Sequence, residues 1–112
     1  TKAGETSEVI RRRVVEARRI QHERFANEPG VYCNAQMSNS QLRRYAWPEA
    51  KALQRLKDAM ERNRMSARAF ARILRVARTI ADLDASATVA EPHIAEAIGY
   101  RTLDRDSWGQ TF

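Results

Sequence analysis

Apolar residues recur along most of this chain at helical rather than strand spacing. Ile10, Val14, Ala17, Gln21 and Phe25 fall on one side of a helix that Ser7 can cap and that runs to about Asn27. Arg11, Arg12, Arg18 and Arg19 lie largely on its other sides. Glu28 to Met37, with Pro29-Gly30, reads as a loop. Ser38 followed three residues later by Gln41 is a capping-box pattern, which predicts a short helix carrying Leu42, Tyr45 and Ala46. Pro48 suits the first turn of a third helix, with Leu53, Leu56 and Met60 as its apolar stripe and its end near Asn63. Ser66 caps a fourth helix reaching about Leu83, and Pro92 opens a fifth with Ile94, Ala97 and Ile98 inward. No alternating pattern is sustained long enough for a strand. The expectation is an all-α fold, a small bundle of about five helices, with Leu53, Leu56, Phe70, Ile73, Leu74 and Ile98 in its core. Past Tyr100 the chain turns polar, and that tail is expected to fray or to dock back through Trp108 and Phe112.

The fourth helix is the most coherent pattern. At about 100° per residue, Phe70, Ile73, Leu74, Ala77, Ile80 and Ala81 fill one broad face. Arg68, Arg72 and Arg75, at i, i+4 and i+7, form a stripe on another. A solvated charged face explains such a stripe on most helices. Arg78 stands to one side, with Asp82 four residues on as a helix-surface partner. Arg68 is distinguished by position, because it falls in the first turn directly after the cap. Free backbone N–H groups and the positive end of the helix dipole gather there. A cation at that end is slightly unfavourable for the helix, and an anion relieves the conflict. Ser66-Ala67-Arg68 therefore reads as a phosphate-facing arginine placed at some cost to stability.

Charge adds to this picture. The 112 residues carry a formal charge of +6, with 17 Arg against 3 Lys. A basic surface fits polyanionic partners, nucleic acid or nucleotide phosphate, and the planar guanidinium suits phosphate better than a point charge does. A GC-rich genome, whose codons favour Arg and Ala, is the default explanation of the arginine bias, so the ratio alone is weak evidence. Arg11-Arg12-Arg13 and Arg18-Arg19 are candidates for a DNA channel or a subunit contact, with a solvated helix face as the default. The length allows one domain with one modest core. No run of apolar residues is long enough to span a membrane, and no signal-peptide pattern occurs. Cys33 is the only cysteine, which excludes an internal disulfide and fits a reducing, cytoplasmic setting. It sits beside Tyr32 in a loop without an activating base nearby in sequence. His22 and His93 belong to separate helices and make no metal-ligand motif. Trp47, just before Pro48, is read as a packing residue, with base stacking as the other use. Thr1 in place of Met is what a piece of a longer protein would show.

The run Ser66-Ala-Arg-Ala-Phe-Ala-Arg-Ile-Leu-Arg-Val-Ala-Arg-Thr-Ile-Ala-Asp-Leu83 closely resembles the C-terminal domain of magnesium-chelatase-like AAA+ proteins of the ComM/YifB type. Gly4-Glu-Thr-Ser7, Arg18 through Gln21, Asn34-Ala-Gln36 and His93-Ile-Ala-Glu-Ala-Ile-Gly-Tyr-Arg101 agree in order. The resemblance covers residues 4–105, leaving 106–112 as a flexible tail. It implies the helical lid of a ring-forming, hexameric ATPase that acts on DNA, in branch migration during natural transformation. The implied partners are an upstream nucleotide-binding core, neighbouring subunits and DNA, with ATP and Mg2+ used by the full-length protein. The Ser-x-Arg at the start of the lid helix carries the family's sensor-2 arginine, which here is Arg68. Arg72, Arg75, Arg11 and Arg12 are then supporting candidates for phosphate or DNA. The chain itself has no Gly-x-x-x-x-Gly-Lys-Ser/Thr loop to cradle phosphates. It is therefore expected to hold no cofactor and to catalyse nothing in isolation, the catalytic parts lying upstream. Two other readings compete: an autonomous basic helical DNA-binding module, and a module whose task is subunit assembly.

Overall fold

A computed structural model of the chain describes residues 6–100. Their order is α1 (Ser7–Arg24), a 3-10 turn (Asn34–Gln36), α2 (Asn39–Tyr45), α3 (Ala50–Asn63), α4 (Ala67–Leu83) and α5 (residues 91–100). The all-α bundle expected from the spacing is what forms. The outermost ends of residues 4–105, the tail 106–112 and its Trp108 and Phe112 lie outside the described residues.

Local chemistry accounts for most of the boundaries. Ser38 accepts from the Gln41 N–H while the Gln41 side chain accepts from the Ser38 N–H, so the capping box is complete. Ser66 caps α4 by accepting from the Ala69 N–H at 3.2 Å. Two boundaries differ from the sequence reading. The cap of α1 is Thr6, not Ser7, and the helix stops at Arg24 rather than near Asn27. Pro29 disfavours helical geometry at Glu28, and residues 25–28 unwind into turns. Pro48 does not open α3. It lies extended in a single parallel bridge with Val89, and Glu49 takes the N-cap position without a side-chain capping bond while its N–H donates to the Val89 carbonyl.

Between α3 and α4 the chain reverses through Arg64, held in the left-handed region at φ 51°. A side chain there is strained and glycine is not. Arg64→Gly should therefore raise stability, by up to about 1 kcal/mol, whereas Ser66→Ala, two residues on, should lower it by about 1 kcal/mol. Thermal melts of the two variants should move in opposite directions.

α4 is the hub and packs against α1, the 3-10 turn and α2. Its Ile73, Leu74, Ala77 and Ala81 join Phe25, Met37, Leu42, Ala46, Leu56, Val89, Ile94 and Ala97 in one core. The many buried alanines (Ala46, Ala52, Ala59, Ala77 and Ala81 among them) let helices approach closely and lose no side-chain entropy on burial. Of the six core residues expected from sequence, Leu56, Ile73 and Leu74 are fully buried, while Leu53, Phe70 and Ile98 sit at the margin. Met37 and Val89, in irregular segments with no periodicity to betray them, are buried instead.

Candidate functional site

The arginine stripe of α4 is not a solvent face. Continued by the same helical spacing, Arg68, Arg72 and Arg75 lead to Thr79 and Asp82. Along that line the helix passes from open solvent to full burial. Arg68 is exposed, Arg72 and Arg75 are half-buried, and Asp82 is only 1% exposed. The cause is what lies on top. The 3-10 turn and α1 cover the C-terminal half of α4 and leave its first turn open.

This gradient gives equivalent residue types different tasks. Arg75 donates through Nε and one terminal nitrogen to the Met37 carbonyl, at 3.1 and 2.9 Å, and so pins α4 to the end of the 3-10 turn. Arg72 is engaged as well. Arg68, at the second position of the helix beside the Ser66 cap, makes no hydrogen bond or ion pair among the described residues.

At the far end of the stripe stands a buried ionic cluster, of which sequence spacing suggested only the Arg78–Asp82 pair. Arg24 grips Asp82 with two parallel bonds of 2.7 and 2.8 Å, the bidentate geometry that suits guanidinium to carboxylate. Arg78 approaches the same carboxylate at 3.1 Å. Asn34 completes the set. Its amide donates to Asp82 and Thr79, its oxygen accepts from Arg24, and its backbone N–H donates to Gln21. The Arg78–Asp82 pairing expected on the helix surface does form, but in the interior. There Arg78 also donates to the carbonyls of Tyr45, Ser86 and Ala87. Burial pushes the Arg78 guanidinium below its ordinary pKa, opposed by the neighbouring Asp82 charge. The Arg78 Nε has no hydrogen-bond partner. The cluster ties α1, the 3-10 turn and α4 together and thereby fixes the direction in which the open end of α4 points.

The remaining candidates are placed as follows. Arg11 and Arg12 are exposed on α1 and make no hydrogen bond or ion pair among the described residues. His22 is exposed. His93 is buried near the start of α5, where Nδ1 accepts from the Ala90 N–H and Nε2 meets Asp84 at 3.0 Å. Among the described residues, no group of three or more His, Cys, Asp or Glu could hold a metal ion. No helix among them is long and apolar enough to cross a membrane. Trp47 packs edge-to-face with Phe70 and takes the Arg43 guanidinium over its ring, yet stays 39% exposed. Cys33 is a half-buried free thiol.

The family described as "Magnesium chelatase, subunit ChlI C-terminal" matches residues 4–101. The chain is 38% identical over 102 residues to "Competence protein ComM" of Haemophilus influenzae and 35% identical over 102 residues to protein YifB of Escherichia coli. Each alignment takes in 91% of this chain and 19% of the relative, so the chain spans about a fifth of the length of these relatives. No solved structure matches it. With the family pattern running over residues 4–101 and so across every described helix, the chain belongs to the magnesium chelatase subunit ChlI C-terminal family.

Proposed function

We propose that this domain is the helical lid of a ring-forming AAA+ ATPase that remodels DNA, and that Arg68 is its nucleotide-sensing arginine. The observation that carries the proposal is the contrast along α4. Arg75 and Arg78 are committed to carbonyls and a carboxylate of the domain itself, whereas Arg68 stands exposed at the electropositive first turn. A γ-phosphate brought to that end would receive a charge-assisted bond from the guanidinium and the favourable end of the helix dipole.

In this reading the upstream core supplies the phosphate loop and the residues that hold Mg2+. The domain contributes Arg68 and a rigid body that turns when phosphate charge is rearranged. The ring is a homo-hexamer, its track is DNA, and the resemblance to competence proteins favours branch migration during natural transformation in the cytoplasm. Rigidity is what makes the sensor useful. A guanidinium displaced by hydrolysis moves the whole bundle only if α4 is locked to α1, and the Arg24–Asp82–Asn34 cluster provides that lock.

The test compares ATP turnover by the full-length protein, by a version lacking this domain, and by the domain alone. Turnover should fall to near background on removal of the lid and be absent from the isolated domain. Turnover by the isolated domain, or full activity without it, would sink the proposal.

A further inference from the structure

α1 carries its charges unevenly. With Ala17 against the core, Arg12, Glu16, Arg19 and Glu23 share one flank of the helix at i, i+4, i+7 and i+11. On that flank Arg19 is neutralised, because it donates to both Glu16 and Glu23. The other flank repeats the same spacing with Arg11, Val15, Arg18 and His22, all exposed. No acid stands in this row. Neither Arg11 nor Arg18 makes a hydrogen bond or ion pair among the described residues. Glu8 lies at the head of the helix between the two rows, and Glu28, in the loop beyond His22, is engaged by Tyr45 and Gln41.

We propose that the Arg11–Arg18 row is a contact surface for the phosphate backbone of DNA, a role that rests on the reading above that the assembled protein works on DNA. Two arginines seven residues apart lie about 10 Å apart along the helix axis, a length over which one strand of B-DNA advances by about three phosphates along the duplex axis. The row is straight, contains no carboxylate of its own although Glu8 stands beside Arg11 at the helix head, and belongs to a chain with formal charge +6. Val15, 57% exposed between the arginines, offers its methyl groups to the sugar edge. Arg12 belongs to the other flank, next to Glu16, and is not part of the surface. Contacts of this kind carry no base preference and act through counterion release.

The test measures binding of a labelled mixed-sequence DNA duplex to the 112-residue chain by fluorescence anisotropy over a salt series. The wild type should bind at low salt and lose affinity steeply as salt rises. Arg11→Ala with Arg18→Ala should weaken low-salt binding by about tenfold and reduce the log–log salt slope by about two. A control pair, Lys57→Ala with Arg62→Ala, removes the same charge from exposed positions on α3 and should cost less than about twofold. All four positions are exposed, so both pairs should keep the wild-type melt. Absence of binding by the wild type would overturn the proposal and point to a protein partner for this flank. Equal losses in the two pairs would overturn it as well, by showing diffuse attraction to the whole domain. Either result leaves the lid reading standing, because that reading is judged on ATP turnover. Loss of the lid reading would in turn leave a positive DNA result intact.

Discussion

Asp82→Ala should cost this domain about 3–5 kcal/mol, a large share of the stability a single small domain possesses. Among the described residues, Asp82 is the sole carboxylate paired with Arg24 and Arg78 in the cluster. Its removal leaves two guanidinium groups in a site largely shielded from solvent, with side chains only 11% and 4% exposed. The Asn34 amide would lose one of its two acceptors in the same step. Three segments would then keep only their bonds to neutral groups, among them Arg75 to the Met37 carbonyl and Asn34 to Gln21 and Thr79. Arg24→Met should cost less than Asp82→Ala, because the carboxylate retains Arg78 and Asn34 and the methionine fills much of the vacated space. Denaturant melts followed by circular dichroism give both values and their order. If Asp82→Ala melted within about 1 kcal/mol of wild type, the cluster would be an ornament of the fold and not its lock.

That cluster also marks where the sequence stops being legible. Helix spacing and caps are local, so Ser38-x-x-Gln41 and Ser66 announce two helix starts from a few residues each. Arg24 and Asp82 are 58 positions apart, and nothing in the neighbourhood of either names the other. Arg68 and Arg75 look equivalent on a helical wheel. They part company only because the loop after α1 returns to place the Met37 carbonyl beside Arg75. The family resemblance pointed to Gln21 and Asn34 within its short matching segments without saying why. In the structure both are hydrogen-bonded in or beside the Asp82 cluster. Pro48 misled for a related reason. A proline before an apolar stripe commonly starts a helix, but here the backbone next to it is claimed by Val89 from a distant loop.

Arg68→Ala should leave folding almost untouched and reduce ATP turnover by the full-length ring by on the order of a hundredfold or more. The first half follows from exposure and from the absence of a partner among the described residues. An exposed substitution of this kind shifts stability by no more than about 0.5 kcal/mol. The shift should be toward greater stability, since a cation leaves the positive end of α4. The second half follows from the chemistry proposed for that end of the helix. A guanidinium aimed at transferring phosphate acts where charge develops, in a partly dry site where its bond is strong. Arg68→Lys should recover only part of the loss, because an ammonium cannot present two parallel donors. Arg75→Ala separates the two kinds of role. It frees the Met37 carbonyl and should lower the melting temperature, while affecting turnover less than Arg68→Ala. The measurements are thermal melts of the domain beside steady-state turnover of the full-length protein for each variant. A large melting loss in Arg68→Ala would make the residue structural. Wild-type turnover in the same variant would remove it from the nucleotide, and the open end of α4 would then need another ligand to explain why its arginine alone is left uncovered along that stripe.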